Sequence, residues 1–145
     1  MNPESLLIAD AVAAAINAAD LSQEVTAERL YVPIRKLEDM EAVHCSVVPG
    51  ATITSEQADR GRNVYMYTAE VCVQKRMENP TRSDIDALVK LVEDEIAGLF
   101  RSKKLAEYEA ARCFAVVIDP TFDPDQIEEF SQFTSVVILT FRVWR

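Results

Sequence analysis

A chain of 145 residues that is 49% hydrophobic carries enough apolar surface for one core, so residues 1–145 are expected to form a single domain, not a disordered segment. Its 24 Asp and Glu against 15 Lys and Arg give a formal charge of −9. That sign argues against a surface built to neutralise phosphates, and hence against specific nucleic-acid binding or adsorption to an anionic membrane.

The chain opens with Asn2-Pro3-Glu4, a helix start in which Asn caps, Pro suits the first helical position and Glu favours the positive dipole end. The helix is expected to reach about Ala18, with Ile8, Val12, Ala15, Ile16 and Ala19 along one apolar stripe. Its alanines suit close approach to a sheet or to another subunit, so Ile8, Val12 and Ile16 are candidate interface residues. The apolar run Leu6 to Ala19 is too short for a bilayer and follows Glu4 instead of a basic cluster, so neither a span nor a signal peptide is expected. Val25 to Pro33 reads as extended, Arg35 to Glu41 as a charged break, and Val43 to Val48 as a short strand closed by Pro49-Gly50. Ala51 to Arg62 reads as a long polar loop, and its end, Arg60-Gly61-Arg62, is a second candidate contact for a partner's carboxylates.

Asn63 to Arg76 predicts a long strand whose Tyr65, Tyr67, Ala69, Val71 and Val73 share one face. Ser83 is the expected cap of a second helix carrying Ile85, Leu88, Val89, Val92, Ile96, Leu99 and Phe100. Cys113 to Ile118 predicts a further strand, Asp123-Pro124-Asp125 a turn-rich connection, and Phe133 to Trp144 a central strand apolar on both faces. The expected architecture is α+β: one mainly antiparallel sheet of about five strands with two main helices, in the order α-β-β-β-α-β-β.

Residues for chemistry are sparse. His44 is the sole histidine, and adjacent Cys45 would point to the opposite strand face, though Cys72 on a neighbouring strand could lie closer. The three cysteines, Cys45, Cys72 and Cys113, are odd in number and scattered, which fits reduced thiols and no zinc cluster. Gly50, Gly61 and Gly98 form no phosphate loop. The acidic group Asp119, Asp123, Asp125, Glu128 and Glu129 lacks the glycine of a calcium loop and reads as a solvated segment. No catalytic residue, cofactor or metal is therefore expected, and the chain reads as a non-enzyme.

Taken together, the alanine-rich first helix, Thr26-Ala27-Glu28-Arg29-Leu30-Tyr31-Val32-Pro33, Val71-Cys72-Val73-Gln74-Lys75-Arg76 and Phe130-Ser131-Gln132-Phe133-Thr134-Ser135-Val136 resemble the small neck proteins of tailed bacteriophages. Within that group the chain is most similar to the tail terminator (tail completion) proteins, in texture and element order along the whole length and without an invariant motif. The resemblance implies a virion protein assembled in the host cytoplasm. It implies a homo-oligomeric ring, typically a hexamer, on the last tail-tube ring, which stops tube polymerisation, offers a surface to the head-side connector and passes DNA as cargo. The alternatives are a head-completion or stopper protein of the same neck, a small acidic ligand- or metal-binding domain or enzyme, and an accessory dimer.

Overall fold

The computed structural model describes residues 2–33 and 41–145. Its elements are α1 (Glu4–Ala18), β1 (Val25–Arg29), β2 (Val43–Pro49), β3 (Thr54–Asp59), β4 (Arg62–Arg76), α2 (Arg82–Lys90), β5 (Lys104–Leu105), β6 (Tyr108–Ile118), α3 (Pro124–Phe130) and β7 (Gln132–Trp144). The seven strands form one sheet, ordered β1-β2-β4-β7-β6-β5, with β3 paired to the first half of β4. The sheet curls into a half-barrel. All pairings are antiparallel except β1 with β2, which run parallel.

The expected five strands, two helices and α-β-β-β-α-β-β order are corrected by this arrangement, which among the described residues is a mixed α+β fold with seven strands and three α-helices. Three elements account for the difference. The segment read as a polar loop contains β3, whose Thr-Ser-Glu-Gln-Ala-Asp sequence lacks an apolar face and is held by its ladder to β4. The segment read as a turn contains α3, where Asp123 caps the helix by accepting from Asp125 N–H and Gln126 N–H, and Pro124 occupies the first turn. The third is β5, a two-residue strand on the edge of β6. The charged break expected over Arg35 to Glu41 lies, save for Glu41, outside the described residues.

Both long helices cover one face of the sheet. Ile8, Val12 and Ile16 of α1 are buried in one cluster with Leu88, Leu91, Val92 and Ile96, with Val71 and Val73 of β4, and with Val137, Leu139 and Phe141 of β7. Burying such side chains contributes about 1.5–3 kcal/mol each, so this layer dominates the fold's stability. The α2 cap is Thr81, not Ser83: Thr81 Oγ1 accepts from Asp84 N–H at 3.3 Å while the Asp84 carboxylate accepts from Thr81 N–H at 3.0 Å. Past Lys90 the helix widens into a π-turn (Leu91–Ile96) and closes with a 3₁₀ turn (Ala97–Leu99). No side chain caps α1; Pro3 holds the cap position and its carbonyl accepts from Leu6 N–H and Leu7 N–H.

At the β1 edge, the Asn17 side chain behaves like a fragment of an eighth strand. Its Nδ2 donates to the Ala27 carbonyl at 2.8 Å and its Oδ1 accepts from Ala27 N–H at 2.9 Å, while Asp10 pairs with Arg29 at 2.6 Å. These contacts block part of an edge that would otherwise accept another strand.

Candidate functional site

Alternation along the strands assigns a second set of side chains to the face opposite α1, here called the open face. It divides into two ends. At the β1–β2 end, Glu28, His44, Ser46, Cys72 and Gln74 project together. Register sets this: Glu28 lies beside Ser46, Ser46 opposite Cys72, and His44 opposite Gln74, which in turn faces Thr134. His44 Nε2 is 3.0 Å from Glu28 Oε1 and its Nδ1 is 3.4 Å from Ser46 Oγ. This Ser–His–Glu order has the connectivity of a nucleophile, base and orienting acid. Yet Ser46 is fully buried at the middle of a paired strand, so no substrate carbonyl reaches its Oγ and its neighbouring N–H groups are engaged in the ladder rather than free to hold an oxyanion. Physically the chain of contacts satisfies a buried imidazole and ties β1 to β2.

Of the three thiols, Cys45 and Cys113 point into the core and Cys72 to the open face, and none is disulfide-bonded. Burial, with the Cys72 thiol nearby, pushes Cys45 up to about 12. Burial likewise raises Cys113, against hydrogen bonds with the backbone of Ala115 and Thr140 that lower it. A cleft of about 440 Å³ opens between this end of the open face and α3, walled by Cys72, Gln74, Gln126, Gln132, Thr134 and Phe130. Its Asp123 carboxylate is engaged in capping α3, and among the described residues the buried Gln74 Oε1 has no hydrogen-bond partner. Among the described residues, no three His, Cys, Asp or Glu side chains converge on a point that could hold a metal ion. Nor, among them, is any helix long and apolar enough to cross a membrane.

The other end of the open face lies toward the β3–β4 hairpin and the last residues of β7. Here Lys104, Arg112 and Arg142 stand side by side on β5, β6 and β7. Arg142 stacks on Phe114 at 3.8 Å and Arg62 lies 5.6 Å from the Trp144 ring, while on the α1 side of the sheet Arg145 lies 5.8 Å from the Tyr65 ring. Phe114, Val117 and Trp144 are exposed.

Sequence-predicted contact residues divide between these places. Arg60, Gly61 and Arg62 form the tip of the β3–β4 hairpin, with Gly61 at φ +80° in the left-handed region, and Arg62 pairs with Asp59 at 3.5 Å. They are exposed and lie near the basic row. Ile8, Val12 and Ile16 are instead buried beneath the sheet at 1%, 0% and 1% exposure, because their stripe is the one that faces β1, β2 and β4. Their assignment to a subunit interface is therefore corrected: they are core. The Lys104–Arg112–Arg142 row escaped sequence reading because its members come from three segments and meet only through strand register. In the sequence itself only Lys104 stands in a basic cluster, with Arg101 and Lys103.

Across the molecule from this row, Glu4 at the start of α1 receives hydrogen bonds from the Tyr108 hydroxyl and, at 2.5 Å, from Arg145. Among the described residues Oε1 has no hydrogen-bond partner, and Tyr67 reaches the carboxylate only as a looser polar contact. Burial pushes the Glu4 carboxyl up, but Tyr108, Tyr67 and the Arg145 guanidinium outweigh it and hold the group below its usual value. Reciprocally, burial and the Glu4 carboxylate push the Tyr67 phenol up to about 12.

No protein-family model matches the chain, and no curated protein matches it.

Proposed function

We propose that the chain is a structural virion subunit of the tail terminator type, which forms a ring at the head-proximal end of a phage tail tube. The observation that carries this reading is the open face of the sheet. Domains bury both faces of a sheet unless one is left for solvent or a partner. Here the stretch from Val64 to Glu70 on β4, Val136 to Trp144 on β7 and Phe114 to Val117 on β6 has no helix over it among the described residues, yet it carries Val64, Met66, Val117, Ile138 and Trp144, which are exposed or half-buried. An apolar surface of this kind marks a contact.

Support also comes from what the other sites offer. In the Ser46–His44–Glu28 set the Ser46 hydroxyl is fully buried although Glu28 is exposed. The cleft by α3 is lined mainly by neutral amides, with the buried Cys72 thiol and the helix-capping Asp123 carboxylate in its wall. The net charge of −9 suits a conduit through which DNA slides without being held. In this reading the partners are further copies of the chain, the tail-tube protein and the head-side connector; the protein takes no cofactor and acts within the virion neck.

Size-exclusion chromatography with light scattering, run with and without purified tail tubes, tests it. Rings, or tubes capped at fixed length, are the expected result. A monomer or dimer that binds neither tubes nor connector would refute the reading, and a head-completion role would appear as binding to the connector alone.

A further inference from the structure

Lys104, Arg112 and Arg142 are registered neighbours on three adjacent strands. Directly opposed residues of a ladder place their Cβ atoms about 4.5–5.5 Å apart on the same face, where like charges repel. All three side chains are exposed, and among the described residues no carboxylate lies within 4 Å of any of them. A chain with nine more acids than bases thus leaves three cations unneutralised in one row. Phe114, against Arg142, and Trp144, in the next rung, add exposed aromatic surface. Such a row is costly alone and favourable beneath an anionic partner that also offers apolar surface.

The complement lies on the same molecule, out of its own reach. At the opposite end of β7, α3 and its approach carry Asp119, Asp125, Glu128 and Glu129 beside exposed Phe122 and Phe130. Among the described residues no Lys or Arg pairs with these acids either. Gln132, where β7 begins, and Arg142 are separated by roughly 33 Å of extended chain, so the two surfaces cannot meet within one chain.

We propose that the Lys104–Arg112–Arg142 row, with Phe114 and Trp144, seats the acidic α3 end of a second copy of the chain. The contact is heterologous: each copy uses its row for one neighbour and its α3 for the other, so assembly continues until it closes. It names the subunit contact of the terminator reading and rests on that reading for closure into a ring. A second copy is favoured over nucleic acid because the rest of the surface is acidic and would oppose a polyanion, whereas a second copy brings its carboxylates already grouped.

Charge reversal tests the pairing. One variant carries Arg112→Glu and Arg142→Glu, the other Glu128→Lys and Glu129→Lys; all four positions are exposed, and unchanged circular dichroism and melting confirm folding. Assembly is followed by light scattering, alone and on tail-tube ends, with retention on DNA-cellulose measured in parallel. Each variant is expected to associate about tenfold or more weakly than the parent, and increasingly similarly as salt rises. Mixing the two restores every contact in an alternating ring, so recovery of assembly in the mixture is the decisive result. Assembly unaffected by either reversal overturns the pairing while leaving the ring reading intact. Loss of DNA retention without loss of assembly reassigns the row to nucleic acid and also overturns it. A parent chain that assembles neither alone nor on tubes refutes the ring reading, and the pairing with it.

Discussion

Replacing Glu4 by Gln should loosen the join between α1 and the far end of the sheet. The Glu4 side chain is only 7% exposed, although its partner Arg145 is 57% exposed. Tyr108 donates from β6 and Arg145 from just beyond β7, so one carboxylate connects three elements distant in sequence. A hydrogen bond to a charged group is worth about 1.5–3 kcal/mol. Two are weakened in the amide, but it retains an acceptor oxygen for one donor, and the solvent-exposed guanidinium recovers water. A loss of about 2 kcal/mol is therefore expected. For a domain of this size each 1 kcal/mol moves the melting temperature by about 3–5 °C, giving a drop of about 6–10 °C at neutral pH by circular dichroism. Acid supplies a second signature. Because the folded carboxyl titrates below its unfolded value, its stabilisation is present above the unfolded value near 4.5 and is lost as pH falls through the lower, folded one. The difference between the parent and Glu4→Gln should therefore shrink as pH falls through that window. A melting shift under 2 °C at pH 7, or a difference that does not change with pH, would refute the assignment of the cluster as a structural clasp.

Other expectations follow from single contacts. Ile16→Ala should lower the urea-unfolding free energy by about 2–5 kcal/mol in the isolated chain; an unchanged midpoint would return α1 to the surface. A Cβ added at Gly50 would stand 1.7 Å from Thr68 Oγ1, so Gly50→Ala should cost about 1–3 kcal/mol, and Thr68→Ala in the same chain should recover much of that in a melting experiment. Cys45, fully buried and titrating near 12, should resist alkylation in the native protein at pH 8 and react promptly in denaturant, as followed by intact mass.

Much of the core was legible because apolar spacing is a strong signal wherever one face is buried. Leu88, Val92 and Ile96 of the expected second helix stripe are buried in the core, and the alternation of Phe133, Val137, Leu139, Phe141 and Val143 marks the buried face of β7, which does lie between two other strands. The missed elements carry no such signal. Thr54 to Asp59 is polar throughout, so nothing in its periodicity separates strand from loop; the local clue was Asp59-Arg60-Gly61, a hairpin tip whose glycine takes a positive φ. Asp123-Pro124 can start a turn or a helix equally well, and the seven residues of α3 are too few to show a stripe. For α1 the spacing correctly marked the apolar side, but spacing cannot say whether that side meets its own sheet or a neighbour. The polar set of Glu28, His44 and Ser46 depended on the parallel register of β1 and β2, which no local pattern encodes.

The pairing of β4 with β7 runs without interruption from Val64 opposite Trp144 to Arg76 opposite Gln132. The hairpin tip at Arg60 extends from the start of β4, and α3 precedes the start of β7 at the ladder's other end. A tension applied between those two points would be carried along the strands, at right angles to the hydrogen bonds that join them. Every rung would then share the load at once, where a pull across the ladder would open them one at a time. The longest ladder of the molecule is thus a tie-rod, oriented so that force entering at one end of the subunit leaves at the other without unzipping it.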